Sequence, residues 1–383
     1  MAANAMATTN LITKRIDFIT RASEASLPAS KIRNISDNTE GKIMQRGIPK
    51  LIAATMAAGA LVLAGCSAGP SSTSAGTGTP VHFQLNNPWN ASTAGFAVAQ
   101  ANGFYKDAGI DAKIEQGTGS GTAAQLVASG QADMGIADAV AVSQQIEKGA
   151  PLVMVATDNQ VTNIAIQTLT SSGINSPKDL KGKKIGLAEG GAWSFLLPLF
   201  LQQNGYSEND VTISTLPFAS LPAALLQKNV DAIVGGQDTA VALELQNAQY
   251  NNFWFKDSGV SPVAHSIFTT QSFAEKNPEA VKKFVAASLK GWNAAIDDQE
   301  RAVSAVKQLL PDSRDDVVRA ELKLLLPLMC AADAKFVGRA EPDRWVQSND
   351  ILTRAKLLPA PVDISKAVSY DFLPPESELH SCK

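Results

Sequence analysis

Strand-like segments alternate along this chain with helical segments of about ten residues, and glycine-rich turns join several of them. The clearest turn is Gly-Thr-Gly-Ser-Gly-Thr at 117–122, which follows the strand-like run 110–115 and precedes an apolar helical face at 123–128. Strands that alternate with helices favour parallel sheets with helices packed on both faces. The pattern therefore predicts an α/β fold built from mostly parallel sheets.

The alternating pattern occurs twice. Residues 81–157 contain the first set of strands and helices, and residues 163–236 repeat the same order with a second glycine-rich turn. A strand at 264–270 is predicted to return to the first unit, and helices between 278 and 357 follow it. A chain of 383 residues is long enough for two such units.

The candidate ligand-binding residues are those that follow the predicted strands, because open parallel sheets bind ligands outside the carboxyl ends of their strands. Two facing units would bring these residues to one cleft. They are Asn87, Trp89, Asn90, Ser92, Gly119, Ser120, Gly121, Thr122 and Asp138 in the first unit, and Glu189, Gly191, Trp193, Ser194, Gln237 and Asp238 in the second.

Each kind of candidate residue has a structural alternative. The turn 117–122 presents backbone N–H groups at a helix N-terminus, which can hold an anionic or polar group, or its glycines serve only the turn. Trp89 and Trp193 lie near proline or glycine, so they either clamp a flat ligand or fold over a core edge. Asp138 and Asp238 either accept hydrogen bonds from a ligand or cap the next helix, which is the commoner use.

Composition and motifs exclude several function classes. The net charge is −3 and no basic patch occurs, so a nucleic-acid partner is not expected. Three cysteines and three histidines are scattered without metal-ligand spacing, so neither a metal site nor another cofactor is predicted, and a Cys330–Cys382 disulfide is left open. No nucleophile elbow, phosphate-binding loop or zinc-protease motif is present, so we expect a binding protein and not an enzyme.

Residues 44–66 form a separate pattern ahead of the α/β units. A short basic run ends at Lys50, an apolar core of about thirteen residues follows, and Leu-Ala-Gly-Cys at 63–66 closes it. This arrangement resembles the signal peptide and lipobox of bacterial lipoproteins, in which the cysteine is lipidated and becomes the first mature residue. The alternative is a buried apolar helix with an incidental cysteine.

The lipoprotein resemblance sets the expected boundaries and location. Residues 44–65 would be the signal peptide, and residues 66–79, rich in Ser, Gly and Thr, a flexible tether. Residues 1–43 are then either an over-extended gene prediction or a genuine extension. The mature protein is expected on the outer face of the bacterial cell membrane, anchored through a lipid on Cys66.

Landmarks of one known family occur along the chain in order. The combination resembles the NMT1/THI5-like periplasmic binding proteins over nearly all of 81–374. This resemblance implies a two-lobed type II binding-protein fold that closes about a hinge. Members of the family deliver thiamine pyrimidine precursors, aliphatic sulfonates, taurine, nitrate or riboflavin to ABC importers. The landmarks are the stretches 99–110, 117–122, 126–136, 179–186 and 277–281.

By this resemblance, lobe one comprises residues 80–165 and 263–383 and lobe two residues 166–262, each a mostly parallel sheet flanked by helices. Crossovers near 160–168 and 258–268 would form the hinge. The lobes would close on a small molecule, and an ABC permease with its ATPase would recognise the closed form. The protein is expected to act as a monomer.

Two other functions and two ligand classes stay open. The eukaryotic branch of the family makes the thiamine pyrimidine itself, with a cysteine cluster that this sequence does not contain. The same fold can also serve as a ligand sensor that docks on a membrane partner. Two tryptophans and two aspartates slightly favour an aromatic heterocycle such as an aminopyrimidine, whereas the backbone amides of the glycine turns also suit sulfonates, taurine or nitrate.

Overall fold

The computed structural model describes residues 78–188, 192–330 and 334–382. The predicted signal peptide, Cys66 and nearly all of the predicted tether lie outside the described residues, as do Glu189 and Gly191. No helix in the described ranges is long and apolar enough to cross a membrane.

Within these ranges, the strands form two five-stranded sheets. The edge strand at residues 250–254 had no clear signal in the sequence. The strands are β1 (Thr79–Gln84), β2 (Ile110–Glu115), β3 (Met134–Asp138), β4 (Leu152–Asn159), β5 (Ala165–Leu169), β6 (Lys184–Leu187), β7 (Thr212–Thr215), β8 (Ala232–Gly235), β9 (Tyr250–Trp254) and β10 (His265–Thr270).

The α-helices lie between and after these strands. The sequence pattern suggested one helix from residue 94 to 106, but the chain breaks it at Gly103, which adopts a left-handed conformation with φ of 73°. The helices are α1 (Ala94–Ala101), α2 (Phe104–Asp107), α3 (Ser120–Ala128), α4 (Ala139–Glu147), α5 (Ala192–Gln203), α6 (Leu221–Leu226), α7 (Gln237–Glu244), α8 (Gln271–Lys276), α9 (Pro278–Asp297), α10 (Gln299–Leu309), α11 (Asp315–Met329), α12 (Pro342–Arg354) and α13 (Ile364–Ala367).

Both sheets have the same mixed topology. The first has the order β2-β1-β3-β10-β4 and the second β7-β6-β8-β5-β9. In each sheet one strand, β10 or β5, runs antiparallel to both of its neighbours, and the other four share a direction. The predicted α/β class with mostly parallel sheets is confirmed, and the strand expected to return to the first sheet is β10. The predicted lobe boundaries stay predictions.

The core of the first sheet depends on close packing between β1, α1 and α9. Phe83 of β1 contacts Phe284 of α9 with ring centroids 4.6 Å apart, and the Tyr105 ring stacks on Phe284 with centroids 4.8 Å apart. Helices α1 and α9 touch at two glycines, since a Cβ on Gly291 would lie 2.1 Å from the carbonyl oxygen of Gly95. The apolar side of α9 therefore lies in this core.

Helix α12 joins the two segments that connect the sheets. The Arg344 guanidinium donates hydrogen bonds to the carbonyls of Gln160 and Ser261, both at 3.1 Å. The Ser348 hydroxyl accepts one from the N–H of Val263 at 3.1 Å. Gln160 follows β4, while Ser261 and Val263 precede β10. The C-terminal helical region thus holds both connections at once.

A disulfide joins Cys330, at the end of α11, to Cys382, 52 residues later. The sequence alone left this pairing open. Next to it, the N–H of Cys382 donates to the carbonyl of Lys335 at 2.9 Å, and the N–H of Val337 donates to the carbonyl of His380 at 3.0 Å. The C-terminal residues are therefore tied to the segment that follows α11.

Candidate functional site

A cavity of about 650 Å³ lies between the two sheets, where the loops after β1, β3 and β8 meet. The parallel strands of both sheets point their carboxyl ends at it, which is the position expected for a ligand site in open α/β sheets. A volume of this size suits a small molecule. The predicted residues that line it are Asn87, Asn90, Ser92, Gly119, Ser120, Gly121, Asp138, Trp193, Gln237 and Asp238.

Three other predicted site residues do not line the cavity. Trp89 is only 6% exposed and packs in the core of the first sheet, because the turn at 90–93, with Asn90 as its N-cap, directs it inwards. Thr122 lies on an exposed face of α3, and Ser194 lies on α5 beside the cavity. The expected aromatic clamp therefore cannot include Trp89, whose core position was the stated alternative.

A network around Ser120 orders the first wall of the cavity. The Ser120 hydroxyl accepts a hydrogen bond from the N–H of Asp138 at 3.0 Å and donates to the Asp138 carboxylate at 3.1 Å. The Asn86 side-chain amide then donates to the same hydroxyl at 3.3 Å. A serine hydroxyl has one proton, so the group that Asn86 offers must be its NH₂. The network thus fixes the orientation of the Asn86 amide.

The Asp138 carboxylate faces the cavity and does not cap a helix. Asp138 occupies the N-cap position of α4, but within the described residues its side chain makes no hydrogen bond to the helix backbone. One carboxylate oxygen instead lies 3.5 Å from Nε2 of His265, which also lines the cavity. The capping alternative is not realised, and the binding role of Asp138 stays a prediction.

The second wall combines amide and aromatic groups. The Asn163 amide donates to the side-chain oxygen of Gln237. Trp193 donates from its indole nitrogen to the carbonyl of Ala188 at 2.8 Å, and its ring stacks on Phe218 with centroids 5.2 Å apart. Phe195, which also lines the cavity, is 47% exposed. Together these rings provide a surface on which a flat ligand can stack.

Two further carboxylates contribute to the walls, Asp238 from α7 and Glu321 from α11. Burial and, to a smaller extent, the charge of Asp238 raise the pKa of Glu321 to about 7, although the N–H of Ala91 opposes the shift. Water reaches the Asp238 side chain, but the surrounding cavity walls disfavour its charge and raise its pKa. Glu321 therefore exchanges its proton near neutral pH.

Sequence reasoning missed several wall residues, and Glu321 most clearly. It lies within an amphipathic helix that carries other acids, far along the chain from any strand end, so no local signal distinguishes it. His265 lies at the start of β10, which runs antiparallel to its neighbours, so its amino end lies beside the carboxyl end of β3. The rule that ligands bind at strand carboxyl ends therefore does not predict it. Asn86, one residue before the predicted Asn87, was the easiest to find.

Replacing Glu321 by glutamine is expected to remove a pH dependence of stability. The pKa of this carboxyl is 4.5 ordinarily and about 7 in the folded protein, so the unfolded chain loses its proton first as the pH rises. The free energy of unfolding should then fall between these pH values. Because water partly reaches Glu321 and screens the effect, we expect the free energy of unfolding of the wild type to fall by only about 1–2 kcal/mol. Urea unfolding near pH 4.5 and about pH 8 measures this fall.

Glu300→Gln is the matched control for this measurement. Glu300 lies on the neighbouring helix α10, and its ion pair with Arg319 lowers the pKa of its carboxyl. Its removal should therefore change the pH dependence weakly and in the opposite direction. Equal pH profiles for the wild type and Glu321→Gln would contradict the assignment of a raised pKa to Glu321.

The lining favours binding of hydrogen-bond donors. The described residues around the cavity include three carboxylates and no lysine or arginine. In the described part of the chain, no three His, Cys, Asp or Glu side chains lie close enough together to hold a metal ion. Carboxylates and amide oxygens accept hydrogen bonds from N–H and O–H groups. The arrangement can thus hold a polar aromatic molecule.

A family model described as NMT1/THI5 like matches residues 90–302. The chain belongs to the NMT1/THI5-like family. The expected family is thereby confirmed. The chain's fold resembles that of the periplasmic aliphatic sulphonate binding protein SsuA from Escherichia coli, with a TM-score of 0.61 at 18% identity over 76% of this chain and 92% of that one.

Three curated relatives carry names with a stated ligand or activity. The riboflavin-binding protein RibY of Chloroflexus aurantiacus is 27% identical over 74% of this chain and 83% of its own length. The formylaminopyrimidine-binding protein of Halalkalibacterium halodurans is 23% identical over 67% of this chain and 81% of its own length. The 4-amino-5-hydroxymethyl-2-methylpyrimidine phosphate synthase THI11 of Saccharomyces cerevisiae is 23% identical over 57% of this chain and 68% of its own length.

Proposed function

We propose that this NMT1/THI5-like protein is an exported solute-binding protein of an ABC importer. The observation that carries the proposal is the cavity between the two sheets, whose walls combine ordered polar groups from one sheet with stacked rings from the other. The names of two relatives, a riboflavin-binding and a formylaminopyrimidine-binding protein, support a binding role. A permease and its ATPase are then the partners.

The ligand that fits these walls best is a small nitrogen heterocycle such as an aminopyrimidine. Its ring would stack beside Trp193 and Phe218, and its N–H groups would donate to Asp138 and the other acceptors. A sulfonate, taurine or nitrate would meet three carboxylates, and the described lining residues offer no lysine or arginine but only His265, which already lies against Asp138. Electrostatics therefore favours the heterocycle over these anions.

Closure about the two connecting segments would couple binding to transport. A ligand that contacts both walls binds the closed form best, so it increases the population of that form, which a permease would recognise. The hydrogen bonds from Arg344 to Gln160 and Ser261 place both connections under one helix, which suits a shared pivot. We propose that the protein does this as a monomer.

We further propose that a lipid on Cys66 anchors the protein to the outer face of the cell membrane. The support is the lipobox-like pattern at 63–66, preceded by a basic run and an apolar core. The Cys330–Cys382 disulfide agrees with an oxidising compartment outside the cytoplasm. Radiolabelled fatty acid should be incorporated into the wild type and not into Cys66→Ser.

The yeast synthase relative raises an enzyme as the second candidate. The family branch that carries out that synthesis uses a cysteine cluster, whereas the two cysteines of the described residues are joined to each other. A binding function is therefore the better proposal. A sensor that docks on a membrane partner would use the same cavity, and an adjacent permease gene would favour transport.

Thermal unfolding with a ligand panel tests the binding function. The panel contains aminopyrimidines, riboflavin, taurine, alkyl sulfonates and nitrate. At a hundred times its dissociation constant, a true ligand should stabilise the protein by about 2.7 kcal/mol, a rise in Tm of several degrees. We expect the rise with an aminopyrimidine and not with the anions.

Two variants show whether the stabilisation comes from the cavity. Asp138→Asn should weaken binding by about tenfold to a hundredfold, because it removes a charge-assisted acceptor. Asp350→Asn, at an exposed ion pair with Arg354 on α12, should bind like the wild type. A rise in Tm with taurine or a sulfonate alone would overturn the heterocycle, and no rise with any compound would overturn the binding function.

A further inference from the structure

We infer that the ligand carries a positively charged nitrogen group, which Asp238 and Glu321 bind together in the cavity, an inference that rests on the proposed binding function. A protonated amine or an amidinium group has this chemistry. This ligand class is narrower than the nitrogen heterocycles proposed above, because a heterocycle can also be neutral.

The two carboxylates come from helices that pack against each other at the cavity. Glu321 lies on α11 and Asp238 in the first turn of α7, and these helices are in contact. Both side chains line the cavity. Among the ion pairs of the described residues, none joins either carboxylate to a lysine, arginine or histidine. Two acids therefore line the same cavity, near enough for the charge of Asp238 to act on Glu321, without a paired cation among the described residues.

Two ionised carboxylates with reduced hydration repel each other, which is unfavourable unless a cation neutralises the charge or one of them binds a proton. Each carboxyl accordingly has a raised pKa: desolvation by the cavity walls is the first cause for both, although water reaches Asp238, and for Glu321 the charge of Asp238 adds to it. The N–H of Ala91 offsets only part of the effect on Glu321. A cationic ligand would supply the missing charge and stabilise both groups in their ionised form.

The cavity wall also contains Asn86, whose side-chain oxygen lacks a hydrogen-bond donor within the described part of the chain. This residue is only 2% exposed and lines the cavity, and its amide nitrogen is used by Ser120. Its oxygen Oδ1 has no hydrogen-bond partner among the described residues. A buried amide oxygen of this kind is normally satisfied. Because this oxygen has almost no accessible surface, a ligand N–H group can reach it only if the side chain turns toward the cavity.

Cation binding should release a proton near neutral pH, because Glu321 must ionise to bind it. The groups that face Glu321 set this behaviour, and the elements packed on α11 are α7, α10, β4 and the turn at 91–93. The turn carries no charged side chain, and its Ala91 N–H acts on Glu321. The charged groups on the other elements are Asp238 and Glu244 of α7, the buried Asp158 of β4, and Glu300, Arg301 and Lys307 of α10. Of these, Glu300 pairs with Arg319 of α11 itself and Lys307 with Asp315 of α11.

Three matched probes test the charge preference on the full-length protein. Benzamidine, benzamide and benzoate have the same ring and nearly the same size, but benzamidine is cationic, benzamide is neutral and benzoate is anionic. By calorimetry at about pH 8 we expect benzamidine to bind at least about tenfold more tightly than benzamide, and benzoate to bind most weakly. Near pH 7, benzamidine binding should release part of a proton, measured from the heat in buffers of different ionisation enthalpy.

The variants Glu321→Gln and Asp238→Asn should each abolish most of the preference for benzamidine over benzamide, and Glu321→Gln should also abolish the proton release. Glu300→Gln, outside the cavity, should keep both. Equal or tighter binding of benzamide or benzoate would overturn the inference. If a compound of the nutrient panel binds but benzamidine has no advantage, the binding function stands and the cationic class fails. If nothing binds, both fail.

Discussion

Gly117→Ala is expected to destabilise the protein and to prevent ligand binding. A Cβ at this position would lie 1.9 Å from the carbonyl oxygen of Leu85 and 2.7 Å from the carbonyl carbon of Asn86. These are backbone atoms at the end of β1, so they cannot rotate away as a side chain could. The chain would have to separate β1 from the turn that carries Ser120. We expect a loss of about 2–4 kcal/mol, measured by urea unfolding.

The loss should extend to the site, because Gly117 also holds the loop after β1. Its N–H donates to the carbonyl of Asn87 at 3.1 Å, and the neighbouring Gln116 accepts a hydrogen bond from the N–H of Trp89 at 3.0 Å. A displaced turn would move Ser120 away from Asp138. Affinity for a panel ligand should therefore fall even at temperatures where the variant is still folded.

Gly121→Ala is the matched control, four residues further on. No atom lies within 4 Å of a Cβ built on Gly121, and the position is in the first turn of α3. Alanine is a better helix former than glycine, so this variant should be as stable as the wild type or more stable by up to about 1 kcal/mol. Equal stability of Gly117→Ala and Gly121→Ala would contradict the close approach at Gly117.

The sequence predicted the sheets well because their signals are local. Short apolar strands, the turn at 117–122 and the helix start at Pro278 each depend on residues adjacent in the chain. The rule that ligands bind at strand carboxyl ends then placed Ser120 and Asp138 on one cavity wall, and Asp238 on another. Their prediction depended on their position after a strand and not on which side chain they carry.

The sequence could not predict which way a loop side chain turns. Trp89 follows β1 as the rule requires, but the capped turn after it directs the indole into the core. Trp193 also follows a strand, and it does reach the cavity, where it stacks on Phe218. The difference depends on contacts with segments far away in the chain. For the same reason Glu321, brought to the cavity by helix packing, had no local signal.

Cys330→Ser/Cys382→Ser is expected to be the other strongly destabilised variant. The disulfide closes a loop between residues 52 positions apart, and the entropy of such a loop in the unfolded chain corresponds to about 4 kcal/mol. The Tm should fall by roughly 10 °C. Replacing both cysteines avoids a free thiol, and thermal unfolding of the double variant measures the loss.

The expected loss depends on whether the C-terminal residues stay folded without the disulfide. They pair with the segment that follows α11, and the carbonyl of Phe336 in that segment accepts a hydrogen bond from the Gln160 amide at 2.6 Å. Gln160 also binds Arg344, so the loss should reach the segment that connects the sheets. Reduction of the wild type should give the same Tm as the double variant. A double variant as stable as the oxidised wild type would contradict a structural role for the disulfide.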